Sequence, residues 1–179
     1  ISFRKGRGKY SVAVEGRAAH AGSAFSDGRS AISELARVIL RLDALTDLAA
    51  GTTVNVGRIH GGTEPNVVAA AAACDLDLRF SDDATGRAVE AAILGMAAEG
   101  EGTRLVVTGE MEKPCLARTP ATRAMAEAAR RIARDLGHDL TETSSGGGSD
   151  GNFTSAAGVP TLDGLGAIGN HWHSPGEHV

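Results

Sequence analysis

Apolar and polar positions alternate over residues 9–15, with Tyr10, Val12 and Val14 on one side, and this period of two predicts a half-buried strand. A glycine-punctuated loop, Gly16-Arg17-Ala18-Ala19-His20-Ala21-Gly22, follows. The period then changes. Ala31, Ile32, Leu35, Ala36, Val38, Ile39 and Leu42 recur at three- and four-residue spacing, which predicts an amphipathic helix over 28–43, capped by Ser26 or Asp27. A β-branched run over 52–60 predicts a second strand, and Gly61-Gly62-Thr63-Glu64-Pro65-Asn66 a turn. Strand character resumes over 67–80 and ends in the clearest alternation of the chain. Cys74, Leu76, Leu78 and Phe80 share one face, Asp75, Asp77 and Arg79 the other. Ser81 or Asp82 caps a second helix with Val89, Ala92, Ile93, Met96 and Ala97 as its stripe. Residues 103–108 read as a fourth strand. The order β-α-β-β-α-β is that of the ferredoxin-like unit, four antiparallel strands with both helices on one face.

Past this unit the pattern thins. Residues 111–116 contain Pro114 and read as a linker. Thr119-Pro120 opens a third helix, with Met125, Ala129, Ile132, Ala133 and Leu136 as its inner face and Gly137 at its end. Residues 139–143 and 159–162 are expected as short strands, the second fully buried. Between them lie a glycine loop over 144–151 and a short helix over 152–157. A buried strand expects neighbours on both sides, so this segment reads as part of a larger α/β domain whose other strands are not in the chain. Ile1 in place of an initiator Met predicts a start inside a longer gene product or after a removed tag.

Charge and composition exclude some functions. The 179 residues carry 22 acidic and 18 basic side chains, a net charge of −4. No basic face for phosphates is expected, so nucleic acid is not a partner. One Trp, one Tyr and four Phe are too few for a base-stacking platform. No apolar run approaches the roughly 20 residues of a membrane span. Cys74 and Cys115 form no Cys-x-x-Cys pair and read as buried thiols in a reducing compartment, which predicts a cytoplasmic protein.

Several polar residues could carry chemistry, and each also has an ordinary account. His171, His173, Glu177 and His178 offer nitrogen and carboxylate donors of the kind zinc takes, or are a solvated terminal loop. His20 sits among small residues where an imidazole can meet a substrate, or is a surface histidine. Asn66 is at home in a turn for backbone reasons alone. Arg79 suits bidentate carboxylate binding, yet Asp75 and Asp77 on its face make an ion pair the simpler account. The loop over 144–151 presents backbone N–H groups of the kind that meet anions. It is not a P-loop, since no Gly-Lys-Ser/Thr follows.

In combination these pieces resemble a known family. Val14-Glu15-Gly16-Arg17-Ala18-Ala19-His20-Ala21-Gly22, a helix, Gly61-Gly62-x-x-x-Asn66-Val67-Val68-x-Ala70, Asp77-Leu78-Arg79-Phe80, Gly146-Gly147-Gly148-Ser149-Asp150-Gly151 and His173-Ser174 occur in that order. The sequence resembles the dinuclear-zinc metallopeptidase family of glutamate carboxypeptidase, acetylornithine deacetylase and succinyl-diaminopimelate desuccinylase. The resemblance covers nearly all of the chain. It implies an α+β protein: a ferredoxin-like βαββαβ dimerisation lid over 7–114, then the C-terminal portion of an α/β zinc-exopeptidase catalytic domain over 115–179.

The resemblance also implies roles. His20 reaches the partner subunit's active site and stabilises the oxyanion of the tetrahedral intermediate. Asn66 and Arg79 bind the substrate carboxylate. Gly146, Gly147 and Gly148 line the substrate pocket. His173 is a zinc ligand in a two-zinc centre that activates water. The family's His-x-Asp motif, bridging Asp and Glu-Glu pair do not occur in this sequence, so the chain alone is expected to be inactive. Ser144 departs from relatives that place Arg nearby, which leaves substrate preference open. The implied activity is hydrolysis of an amide bond next to a free carboxylate, in N-acyl amino acids or C-terminal glutamate substrates, by a homodimer. The alternative is a non-enzymatic ferredoxin-like module that dimerises or binds a small carboxylate.

Overall fold

The computed structural model describes residues 1–166, 169–171 and 174–178. Strand β1 (Phe3–Arg4) leads into β2 (Gly6–Glu15), then α1 (Ala31–Asp43), β3 (Thr53–Gly61), β4 (Ala71–Phe80), α2 (Asp83–Leu94) and β5 (Arg104–Lys113). Strands β2 to β5 form one sheet in the order β3-β4-β2-β5, every neighbouring pair antiparallel. Both helices pack on the same face of it. The expected ferredoxin-like arrangement is the one observed.

Alternation builds the core. Tyr10, Val12 and Val14 of β2 and Ala72, Cys74, Leu76, Leu78 and Phe80 of β4 point under the helices and are buried. From above, α1 meets them with Ala31, Leu35, Val38 and Leu42, and α2 with Ile93. Each large apolar side chain removed from water in this way contributes about 1.5–3 kcal/mol before entropy is counted. Phe80 explains two glycines. A Cβ on Gly6 would lie 2.1 Å from its ring, and one on Gly86 2.6 Å. The opposite sheet face is polar and open, with Ser11 Oγ donating to Asp75 at 2.6 Å.

One buried charge ties the unit together. The Glu34 carboxylate, fully buried on α1, accepts the backbone N–H groups of Glu99 at 2.7 Å and Gly100 at 2.9 Å. Arg37 Nη2 and Nε donate to it at 2.5 and 3.1 Å. Burial alone would raise this carboxyl, but these bonds more than offset it and hold it below the ordinary glutamate value.

The second segment holds α3 (Pro120–Asp135), β6 (Ser144–Ser145) and α4 (Gly151–Ala156). The short β6 pairs in parallel with β1, and Leu116 exchanges backbone hydrogen bonds with Arg4. Both ends of the four-stranded unit therefore meet at one place, beside β6.

Several expected boundaries move. Helix α1 starts after Ser30, whose side chain accepts from Ser33 N, not after Ser26 or Asp27. Phe25–Asp27 form a 3₁₀ turn, and Arg29 is held extended by paired bonds with Arg17. Met111–Lys113, expected as linker, extend β5, because Gly8 and Arg7 supply partners on either side of a bulge. Neither 139–143 nor 159–162 is a strand; it is Ser144–Ser145 that pairs, and Val159 is exposed. The expected inner stripe of α3 is also exposed at Met125, Ile132 and Leu136, while the helix buries Thr122 and Ala126. Its amphipathic face finds no cover among the described residues.

Candidate functional site

His20 and Asn66 come together at one end of the sheet. Gly16 opens the first of their two loops where a Cβ would lie 2.1 Å from Arg29 O, so only glycine fits. The two loops then zip through Val68 N to Ala19 O at 2.9 Å and Ala21 N to Asn66 O at 2.9 Å. His20 Nδ1 accepts the N–H groups of Gly22 and Ser23 at 3.1 and 3.2 Å. With Nδ1 occupied as acceptor, the neutral ring carries its proton on Nε2. Both His20 and Asn66 are exposed, so the Nε2–H donor and the amide are open to a ligand.

Arg79 and the glycine loop meet at the other end. Asp77 accepts Arg79 Nε at 2.6 Å and Nη2 at 3.1 Å, and Arg79 Nη1 donates to Gly146 O at 3.3 Å. Arg4 Nη1 donates to Gly147 O at 2.8 Å and its Nε to Asp163 at 2.6 Å. Lys113 closes the third side, its stem 3.1 Å from where a Cβ on Gly148 would sit and its Nζ 3.4 Å from Asp150. Burial alone would raise Asp163, but Ser149 Oγ, Gly164 N–H and Arg4 bring it below the usual carboxylate range. The loop was expected to offer N–H groups to an anion. What it offers the two arginines is its carbonyls.

These two ends are far apart. Asn66 precedes β4 and Arg79 lies near its other end. The strand between them, Ala71 to Arg79, spans about 27 Å at the usual rise. The structure thus groups His20 with Asn66, and Arg79 with Gly146, Gly147 and Gly148, but does not join the groups within one chain. Arg4, Lys113 and Asp163 belong to no sequence motif. Their partners lie 37 to 159 residues away in Lys113–Asp150 and Arg4–Asp163, and no local pattern marks them.

No metal centre forms among the described residues: no three His, Cys, Asp or Glu side chains come together there. His171 and His178 pack with ring centroids 5.7 Å apart. His173, the residue expected as a zinc ligand, lies outside the described residues. No described helix is long and apolar enough to cross a membrane. Both cysteines are buried, and burial pushes the Cys74 thiol up to about 11 and the Cys115 thiol up to about 12, which makes neither a nucleophile at neutral pH.

Comparison with known proteins bears on these features. The family model of the peptidase dimerisation domain, M20_dimer, matches residues 3–102. The uncharacterized protein YqjE of Bacillus subtilis is 29% identical over 163 residues, 87% of this chain and 42% of that protein. Carboxypeptidase G2 of a Pseudomonas species is 25% identical over 168 residues, 91% of this chain and 40% of its own. The crystal structure of aminopeptidase PepT from Bacillus cereus superposes with a TM-score of 0.82 at 28% identity, covering 99% of this chain and 48% of that one. The chain thus spans less than half the length of each.

Proposed function

This chain belongs to the peptidase dimerisation domain family, and from that premise we propose that the whole protein is a zinc-dependent amidohydrolase of the carboxypeptidase type. It cleaves an amide bond next to a free carboxylate, in N-acyl amino acids or C-terminal glutamate substrates. The four-stranded unit is its dimerisation lid. Carboxypeptidase G2, among the similar proteins, carries that activity class in its name. The observation that carries the reading is the Arg79 guanidinium, fixed along one edge by Asp77 and directed at the glycine loop.

In this reading Arg79 and Asn66 hold the substrate carboxylate, and Gly146, Gly147 and Gly148 shape the pocket. His20 donates from Nε2 to the carbonyl oxygen as it becomes an oxyanion, a donor worth roughly 10²–10³ in rate in comparable sites. Because His20 and Asn66 lie at the far end of the sheet from Arg79, one complete site draws on two chains. The edge strand β3 and helix α1, with Ile59 62% and Leu40 72% exposed, form the surface on which two copies meet. When bound in the whole protein, zinc would supply the activated water, with His173 as one of its ligands. The His-x-Asp motif, bridging Asp and Glu-Glu pair that would complete the centre do not occur in this sequence, so the chain by itself is inactive. The protein acts in the cytoplasm on a small carboxylate, not on nucleic acid or membrane.

The test is hydrolysis of N-acetyl-glutamate and of its α-amide by the full-length protein, with metal content measured on the same preparation. Two zinc ions per protomer and a kcat/KM for the free acid at least tenfold above that for the α-amide support the reading. A metal-free protein that binds glutamate without turnover supports the non-enzymatic module instead.

A further inference from the structure

The chain passes between the four-stranded unit and the second segment twice, at Lys5 and at Pro114. A single side chain holds both passages. Asn152, fully buried on α4, donates from Nδ2 to Lys5 O at 3.2 Å and to Pro114 O at 2.7 Å. Its Oδ1 accepts the N–H of Ser149, the residue after Gly148 in the glycine loop, at 2.9 Å. Two carbonyls and one N–H leave the amide only one orientation.

The position is distinctive. Lys5 donates its N–H to Ser145 O at 3.1 Å, and its carbonyl faces α4. Pro114 has no N–H, and its carbonyl is its only backbone polar group. Neither passage has a sheet partner for that oxygen, and Asn152 takes both. The same residue reaches the glycine loop, whose Gly146 O receives Arg79 from the lid side at 3.3 Å.

We propose that Asn152 is a positioning residue that sets the angle between the lid and the second segment, and with it the separation of Arg79 from Gly146, Gly147 and Gly148. This rests on the reading of Arg79 and the loop as the carboxylate site, but its test uses neither substrate nor turnover. Asn152 touches no substrate in this account; it acts through the two passages and Ser149. Asn152→Leu removes all three bonds at similar volume. Asn152→Asp keeps the acceptor for Ser149 and sets a carboxylate oxygen against the two carbonyls.

The experiment is single-molecule energy transfer in the full chain, with dyes on Arg87→Cys of α2 and Arg131→Cys of α3. Labelled chains are diluted into excess unlabelled protein so that each dimer carries one pair. Both sites are exposed, while the native Cys74 and Cys115 are buried. The parent should give one narrow distribution. Each variant, folded by circular dichroism, should give a broadened or shifted one, and its Ser149 amide in Asn152→Leu should exchange on the order of tenfold faster or more. A folded Asn152→Leu chain with the parent distribution overturns the proposal. If neither variant folds, exchange in the parent decides. Protection of the Ser149 and Asn152 side-chain amide protons as long as that of β2 supports the proposal. Exchange as fast as the Gly146 and Gly147 amides overturns it. Absence of hydrolase activity in the whole protein would alter none of these readouts.

Discussion

Asp77 and Arg79 stand two residues apart on the open face of β4, and the carboxylate takes two of the three guanidinium nitrogens, at 2.6 and 3.1 Å. The third is left for Gly146 O and for an incoming anion. A bidentate arginine held in this way exchanges poorly for lysine, which has neither the fork nor the planar geometry. Arg79→Lys should lower kcat/KM for a free-carboxylate substrate by roughly 10- to 150-fold, the range of a charge-assisted hydrogen bond of about 1.5–3 kcal/mol. The α-amide of the same substrate should be nearly unaffected. An equal loss for acid and amide would remove Arg79 from carboxylate recognition.

His20 and Arg79 lie at opposite ends of one sheet, so the shared site makes a prediction about mixtures. His20→Ala and Arg79→Ala homodimers should each be near-inactive. A refolded equimolar mixture should recover about a quarter of the parent activity, since half its dimers are mixed and one of their two sites is intact. Separately purified and unmixed variants serve as the control. No recovery on mixing would mean that both residues serve the same chain, against the separation seen here.

The meeting of two copies is open to a direct measurement. Ile59 is 62% exposed on β3, the sheet's edge, where an added charge blocks pairing between strands. Ile59→Lys should shift the protein from dimer to monomer in sedimentation while its melting temperature changes by only a few degrees, as surface substitutions usually do. A dimer that persists would move the interface off this edge.

The four-stranded unit was legible because most of its strands carry a local signature. Cys74 to Phe80 alternate without a break, and α1 repeats its apolar residues at helical spacing, so the element order could be read from windows of ten residues. What could not be read depends on distant partners. The end of β5, Gly109-Glu110-Met111-Glu112-Lys113, is polar and glycine-containing, and it is a strand only because Arg7, Gly8, Lys9 and Tyr10 of β2 lie beside it. The start of α1 was misplaced because Arg17 claims Arg29 from twelve residues away. The candidate site divides in the same way. His20, Asn66 and Arg79 were found by their motifs, whereas Arg4, Lys113 and Asn152 act through contacts that close only in the folded chain. The stripe of α3 was correctly seen as amphipathic and wrongly assigned as covered, because periodicity reports which face is apolar and not what lies against it.

Glu34 offers the sharpest test of stability. It is a carboxylate with no exposure, and its four bonds fasten the turn at Glu99 and Gly100 onto α1. Removing the acceptor strands the backbone N–H groups of Glu99 and Gly100, while the half-exposed Arg37 guanidinium turns to water. Glu34→Ala should therefore cost about 2–5 kcal/mol, the range for leaving two buried donors unpaired. Glu34→Gln keeps one good acceptor but turns an NH₂ toward donors, and should cost about 2 kcal/mol. The pH dependence has a fixed sign. The folded value is lowered relative to the unfolded one, so the unfolded chain takes up the proton first as the solution is acidified. The carboxylate's contribution is then complete above the ordinary glutamate value and is lost as pH falls through the lowered folded value. Urea unfolding of parent and Glu34→Gln should show a stability gap that is widest near neutrality and narrows on acidification, because a protonated Glu34 presents the same kind of head group as glutamine. A gap constant with pH would place the stabilisation in packing at this position, not in the charge.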